Sequence, residues 1–287
     1  MMWSARSRTC RPRKPGSSPA NSWESMVGPY SVGDPAGYQR CLRVLMDEMS
    51  LYRRTLAELT VDELDHETRC AGWTIRDQIA HLADTDEVAA DTVHGGNRSF
   101  ERVVPAFPSA EAFTAAGCER ASDLHLLQLR RWSQEASDRC WTALSACVGS
   151  ERVRWGFGMS AEHLAMGRTM EYWAHHGDIR AVLDREARYS AEGAACVTEL
   201  SLQSVRYAMA KARVGYDSHA RIRLTLVDDE TGDICSFGDT AADEEIRGCL
   251  QSWALLAVGR RNPDLEKSFD VEGPNARLLL EHARAYL

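Results

Sequence analysis

A chain of 287 residues has the length of two ordinary domains or one large one, and a hydrophobic content of 44% is enough for real cores. Its formal net charge of −8 argues against nucleic acid as a partner, because phosphate binding rests on clustered lysine and arginine. A membrane span is excluded as well: it needs roughly 18 apolar residues in a row, and the longest apolar run, Trp253-Ala-Leu-Leu-Ala-Val258, is far shorter.

Small molecules are therefore the expected partners. Nine cysteines (Cys10, Cys41, Cys70, Cys118, Cys140, Cys147, Cys196, Cys235 and Cys249) make an odd set with no Cys-x-x-Cys pair, mostly inside apolar helical patterns. They read as small core residues of a protein held in the reducing cytoplasm. Thiol chemistry, if present, then involves a thiol brought in as substrate.

Residues 1–33 carry Arg6, Arg8, Arg11, Arg13 and Lys14 among prolines and serines, with no acidic residue before Glu24. This composition predicts a disordered basic tail, and no apolar segment follows the charges to make a signal peptide. Met26 is an alternative start. From Pro35 to about Thr60, apolar residues at helical spacing predict a first amphipathic helix. Thr74 with Asp77 three residues on resembles a capping box after a glycine turn and opens a second helix that carries His81. The glycine- and proline-containing stretch 95–108 reads as a loop. A third helix is expected from Ser109 or Phe113 to Cys147, interrupted near Gly117. The aromatic and glycine segment from Val153 leads to Ser160, a plausible cap for a fourth helix reaching about Leu183.

Four helices with short to moderate links predict an antiparallel bundle over 34–190. A fifth helical stretch, Ala191 to about Ala212, connects onward. After Gly215 the period becomes that of strands, with a hairpin over Arg221–Val227 and Asp233–Phe237. A helix from Ala242 to about Val258, a short strand near Phe269–Val271 and a last helix from Pro274 complete the expectation. Residues 191–287 thus form a connecting helix and a small α+β domain, and the fold class is α+β.

The chemistry concentrates at Glu171 and His175, which stand at i and i+4 on one face of the fourth helix. His81 on the second helix could join them, and an imidazole, a carboxylate and a second imidazole suit a divalent metal with open coordination positions. The residues leave a plainer reading open, in which Glu171 pairs with Arg168 or His175 and His81 is a hydrogen-bonded core histidine. His176 competes with His175 but points about 100° away on the helix.

The run Gly72-Trp73-Thr74-Ile-Arg-Asp77-x-x-x-His81-Leu-Ala resembles the second-helix motif of the mycothiol-dependent maleylpyruvate isomerase and DinB-like metalloprotein superfamily. Met159-Ser-Ala with Met170-Glu171-x-Trp173-x-His175 resembles its fourth-helix motif. The segments Ile246-Arg-Gly and Gly259-Arg260-Arg261 are similar to the small domain of an actinobacterial branch, and the likeness runs from about Pro35 to Leu287. The resemblance implies a DinB-like four-helix bundle with His81, Glu171 and His175 holding a divalent metal, usually zinc. It also implies mycothiol, a low-molecular-weight actinobacterial thiol, as cosubstrate.

The implied activity is that of a metal-dependent S-transferase acting on a small-molecule acceptor. One member of the branch exchanges ergothioneine for mycothiol in lincosamide antibiotic assembly. Maleylpyruvate-type isomerisation, detoxifying thiol transfer and a non-catalytic metal or small-molecule binding protein are the alternatives. Homodimer formation is left open.

Supporting roles are expected of several residues, each with a plain alternative. Asp84, one turn after His81, and Asp178, one turn after His175, are placed to orient an imidazole or to serve as ordinary helix-surface acids. Arg168 would hold an anionic substrate or pair with Glu171. Trp155, Phe157 and Trp173 would line a pocket or join the core. Arg260 and Arg261 would clamp an anion between the domains or end a helix in solvent.

Overall fold

The computed structural model describes residues 35–156, 158–183, 185, 189–261 and 263–286. The expected tail over 1–33, with Met26 in it, and Phe157 lie outside the described residues. The first half is built on four long helices. Helix α1 (Pro35–Glu58) packs on α5 (Leu126–Ser145) and α6 (Ala161–Val182), and α2 (Ile75–His94) closes the square against the same two helices. Their interior is filled by Leu45, Met49, Tyr52, Ile79, Leu82, Leu129, Leu144, Tyr172 and Trp173, all essentially sealed from solvent.

Two caps fix the helices that carry the chemistry. The turn before α2 runs through Gly72, at φ +79, a left-handed conformation that costs glycine nothing. Thr74 and Asp77 then form a reciprocal capping box. At the start of α6 the Ser160 hydroxyl accepts from the His163 N–H. Ser160 also ends the two-stranded ribbon of β1 (Arg152–Val153) and β2 (Met159–Ser160).

The connections differ from expectation in two places. The stretch 95–108 contains a one-turn helix, α3 (Phe100–Val103), and a 3₁₀ turn (Val104–Ala106). The expected third helix, interrupted near Gly117, is two separate helices: α4 (Ala110–Glu119) lies against the outside of α2, and only α5 belongs to the bundle. The break falls at 120–125, beyond Gly117, where Arg76 of α2 donates to the carbonyls of Ala121 and Leu124 and draws the chain out of helical register.

The second half begins with α7 (Ala191–Gln203) and α8 (Val205–Ala212), one expected helix broken at Ser204. A four-stranded sheet follows: β3 (Ile222–Val227), β4 (Ile234–Gly238), β5 (Glu244–Cys249) and β6 (Asp270–Glu272), in the order β4-β3-β5-β6. The β3–β5 pair is parallel and the other pairs antiparallel. Residues 244–249, expected to be helical, are the strand β5. Helix is confined to α9 (Leu250–Ala257), and α10 (Pro263–Lys267) and α11 (Pro274–His282) come after it. Pairing on both sides of β5, with Ile246 buried between, outweighs the weak helical pattern of this polar stretch.

The molecule is thus an α+β fold with a helical N-terminal region and a small C-terminal sheet region. The halves are joined through α7 and α9, where the buried Trp253 indole donates to the Ser201 hydroxyl at 3.1 Å. Past α11, Ala285 N–H donates to the Ala257 carbonyl at 2.9 Å and turns Tyr286 back toward the end of α9. No helix among the described residues is long and apolar enough to cross a membrane.

Candidate metal centre

Between the bundle and the C-terminal region lies a cavity of about 920 Å³. Arg69, Cys70 and Trp73 enter it from the capping turn, His81 from α2, Glu171 and His175 from α6, and Arg260 and Tyr286 from the second half. Small residues of α4, among them Ala110 and Ala115, form the facing wall.

In the cavity wall, His81 Nε2 stands 3.0 Å from Glu171 Oε2 and His175 Nε2 stands 3.2 Å from the same oxygen. The three donor atoms lie within 4.8 Å of one another. Donors bound tetrahedrally at zinc distances of 2.0–2.1 Å would be about 3.3 Å apart, so the spacing fits a cation of that size. Glu171 turns 26% of its side-chain surface to the cavity, while His81 and His175 are nearly covered.

The charge state also suits a cation. Burial lowers the His175 pKa, which keeps the imidazole neutral at pH 7. Burial opposes ionisation of Glu171 too, but hydrogen bonds from His175 and His81 outweigh it and hold the carboxyl well below the usual carboxylate range. A neutral imidazole beside an ionised carboxylate is what a divalent ion requires of its ligands. Trp73 packs over the pair, stacked on His175 at 5.8 Å between centroids and tilted to His81 at 5.1 Å.

His175 Nδ1 lies 3.2 Å from Gln78 Oε1, and the Gln78 amide nitrogen donates to Thr68 Oγ1 at 2.6 Å. Gln78 was not singled out from the sequence. A polar residue one turn before His81 and on the buried face of α2 was the available signal.

The other expected residues divide sharply. Asp178 is fully buried near His175, but its Oδ2 is 4.0 Å from Nδ1, too far for a hydrogen bond. Its oxygens instead receive Arg260, through Nε at 3.2 Å and through Nη2, and the Cys70 thiol at 3.4 Å. Arg260 therefore reaches the cleft as expected, with its guanidinium committed to Asp178 instead of open to an anion. Arg261 also lines the cavity, yet it pairs with Glu266 at 3.0 Å and donates to the Leu280 and Ala283 carbonyls.

Asp84 faces away from His81 and pairs with Arg98 at 2.6 Å and with Arg120. Three residues after His81, it falls on the side of α2 covered by α4 and the 95–108 connection. Arg168 is buried against Asp86 at 2.8 Å, and Tyr172 donates its hydroxyl to the same carboxylate. It braces α6 to α2 inside the bundle and meets no substrate space. Trp155 packs on Phe100 at 4.9 Å and is absent from the cavity lining. Trp173 belongs to the core beside Tyr189, and His176 turns to Thr55, 2.8 Å away.

Cys70, His175 and Asp178 also lie close enough to share an ion, but the Arg260 guanidinium already places a positive charge on both the thiol and the carboxylate. Burial, with Asp178 alongside, pushes the Cys70 thiol up to about 11. It is protonated at neutral pH and makes a poor nucleophile.

Two imidazoles, that of His175 buried and that of His81 partly covered, thus share one carboxylate across two bundle helices. Residues 45–180 match the model of the mycothiol maleylpyruvate isomerase N-terminal domain. The matched stretch contains all three donors and ends at the bundle. Beyond it, the fold as a whole is similar to the crystal structure of the mycothiol-dependent maleylpyruvate isomerase. That likeness has a TM-score of 0.55, covers 83% of this chain and 95% of that one, and comes with 19% sequence identity. A mutant of the same enzyme superposes equally well at 18% identity. These likenesses speak to the fold. Among curated sequences, the uncharacterized proteins Rv0036c and MT0041 of Mycobacterium tuberculosis are each 25% identical over 231 residues, covering 80% of this chain and 88% of theirs.

Proposed function

We propose that this chain is a metal-dependent enzyme that uses mycothiol as cosubstrate and transfers or exchanges it on a small-molecule acceptor. The observation that carries this reading is the convergence of His81, Glu171 and His175 on one point of a cavity wall, within a stretch matching the isomerase N-terminal domain. A divalent ion held by these three residues, zinc being the expected one, would acidify a thiol that binds to it.

The chain's own part is positioning and exclusion of water. Burial favours the neutral form of His175, and the two imidazoles beside Glu171 favour its ionised form, the states in which each residue serves as a ligand. Trp73 walls the imidazoles from solvent. The cavity, at about 920 Å³, is at the upper end of the range for small-molecule sites, with room for a thiol and a second reactant together. Cys70 remains protonated beside Asp178 and Arg260, so the incoming thiol is the reacting sulfur.

Thiol exchange on a specialised metabolite, as in lincosamide assembly, is the preferred acceptor chemistry. Isomerisation of maleylpyruvate is the rival reaction on the same site, and a non-catalytic metal or small-molecule binding protein is the rival class. The test is to load the full chain with zinc and supply mycothiol with either an electrophilic acceptor or maleylpyruvate. Formation of an S-conjugate supports transfer, and formation of fumarylpyruvate without net thiol consumption supports isomerisation. Bound zinc with no turnover of any thiol substrate would leave only the binding protein.

A further inference from the structure

Helix α4, the wall facing the three donors, is anchored at one end. Its C-terminal residues Gly117 and Cys118 are buried, whereas Ala110, Glu111 and Ala115, which line the cavity, are exposed. At Gly117 the approach to α2 is so close that a Cβ would stand 3.0 Å from the Asp84 carboxyl carbon. The Cys118 thiol donates to the Asp77 carbonyl at 3.5 Å. Asp84, all but sealed from solvent, receives Arg98 from the connection before α4 at 2.6 Å, and Arg120, the residue after α4. Glu87, three residues along α2, pairs with the same arginines at 3.2 and 2.8 Å and accepts from the Trp132 indole of α5 at 2.8 Å. A buried carboxylate that grips two guanidiniums makes a stiff joint, because parting them would leave a covered charge unpaired.

We propose that Asp84 is a positioning residue that makes α4 a lid: it fixes the C-terminal end of the helix, and the free end swings over the three donors and closes toward Lys211. That the lid covers reactants rests on the proposed function, whereas the joint itself does not. The free end carries Glu111 in its first turn, and Lys211 stands in the last turn of α8, in the second half of the molecule. The Glu111 backbone N–H and the Ser109 hydroxyl hold the Glu111 carboxyl below its usual range, and the charge of Lys211 adds to their effect. The two charges thus feel each other, although no ion pair joins them, and their attraction draws the free end toward the second half. The cavity-facing residues Ala110, Thr114 and Ala115 are small, so the closing helix meets the reactants without filling their space.

The experiment follows amide hydrogen exchange by mass spectrometry on the zinc-loaded full chain, as wild type, Asp84→Asn, Glu111→Lys, and Glu111→Lys combined with Lys211→Glu. Asp84→Asn should speed exchange across Ala110–Glu119 by about tenfold, the change that loss of a charged hydrogen bond brings, and leave α1, α5 and α6 as they were. Glu111→Lys, an exposed substitution, should speed exchange over 110–116, and the charge-swapped double variant should return it to the wild-type rate. Mycothiol should slow exchange over 110–116 in the wild type. Its KM with an electrophilic acceptor should rise in Glu111→Lys and recover in the double variant, which a merely structural role would not produce. Unchanged α4 exchange in Asp84→Asn, or faster exchange spread equally through α5 and α6, would overturn the proposal. So would a double variant as open as Glu111→Lys, or bound mycothiol that leaves α4 exchange unaltered. If Asp84→Asn fails to fold, the charge swap still decides. A wild type that binds no mycothiol would instead contradict the proposed function, and the exchange rates of the variants would then decide the joint by themselves.

Discussion

Replacing Glu48 with glutamine should stabilise the protein above neutral pH and change little below pH 5. Glu48 is 2% exposed on the inner side of α1, where its carboxylate receives the Ser190 hydroxyl at the start of α7 and packs by Gly193 and Trp173. Burial raises its pKa from 4.5 to about 7, and the nearby acids Asp47 and Glu192 add to the effect of burial against the Ser190 hydrogen bond. A carboxyl whose folded pKa lies above its unfolded value stabilises the fold while protonated. That contribution is complete below about pH 4.5 and is lost as pH rises through about 7. At about 1.4 kcal/mol per pKa unit, the loss by pH 8 amounts to roughly 3 kcal/mol. Urea unfolding from pH 5 to pH 8 checks it. Wild-type stability should decline relative to Glu48→Gln across that window, with the two converging near pH 5. Parallel profiles, or a wild type that gains on the variant as pH rises, would refute the assigned burial of this carboxyl.

Further outcomes follow from the cleft. Asp178→Asn leaves the Arg260 guanidinium and the Cys70 thiol without their carboxylate in a buried place, and should cost about 3–5 kcal/mol of stability; thermal unfolding at pH 7 measures it. Because burial holds its pKa near 11, Cys70 should react with iodoacetamide at pH 8 on the order of a hundredfold more slowly than a free thiol. Mass mapping of alkylated native protein reads that rate, and fast labelling would contradict the protonated state. The triple variant Arg168→Met, Asp86→Leu and Tyr172→Phe, which removes the buried pair together with the hydroxyl that donates to Asp86, should remain folded, since apolar groups of similar volume often replace a buried ion pair without loss; circular dichroism and urea unfolding decide it.

The helices that position the candidate site were readable because their signals are local. Thr74 and Asp77 mark the start of α2, Ser160 marks α6, and the i, i+4 spacing of Glu171 and His175 needs only the helix between them. What escaped depends on distant partners. Strand β5 looks helical in isolation and becomes a strand because β3 and β6 flank it. Asp84 and Asp178 occupy similar places after their histidines, yet only the tertiary fold shows that arginines capture both. Gln78 fits the apolar rhythm of α2 as a buried position, so its polar role emerges only when Thr68 and His175 are brought to either side of it.

The central claim is that two helices gather three side chains around one cation, and zinc titration of the chelator-stripped full chain tests it most directly. The wild type should take up one ion per chain, and His81→Ala, Glu171→Gln and His175→Ala should each lose that stoichiometric binding while retaining the helical spectrum of the parent. No zinc uptake by the wild type, or full uptake by all three variants, would contradict the account.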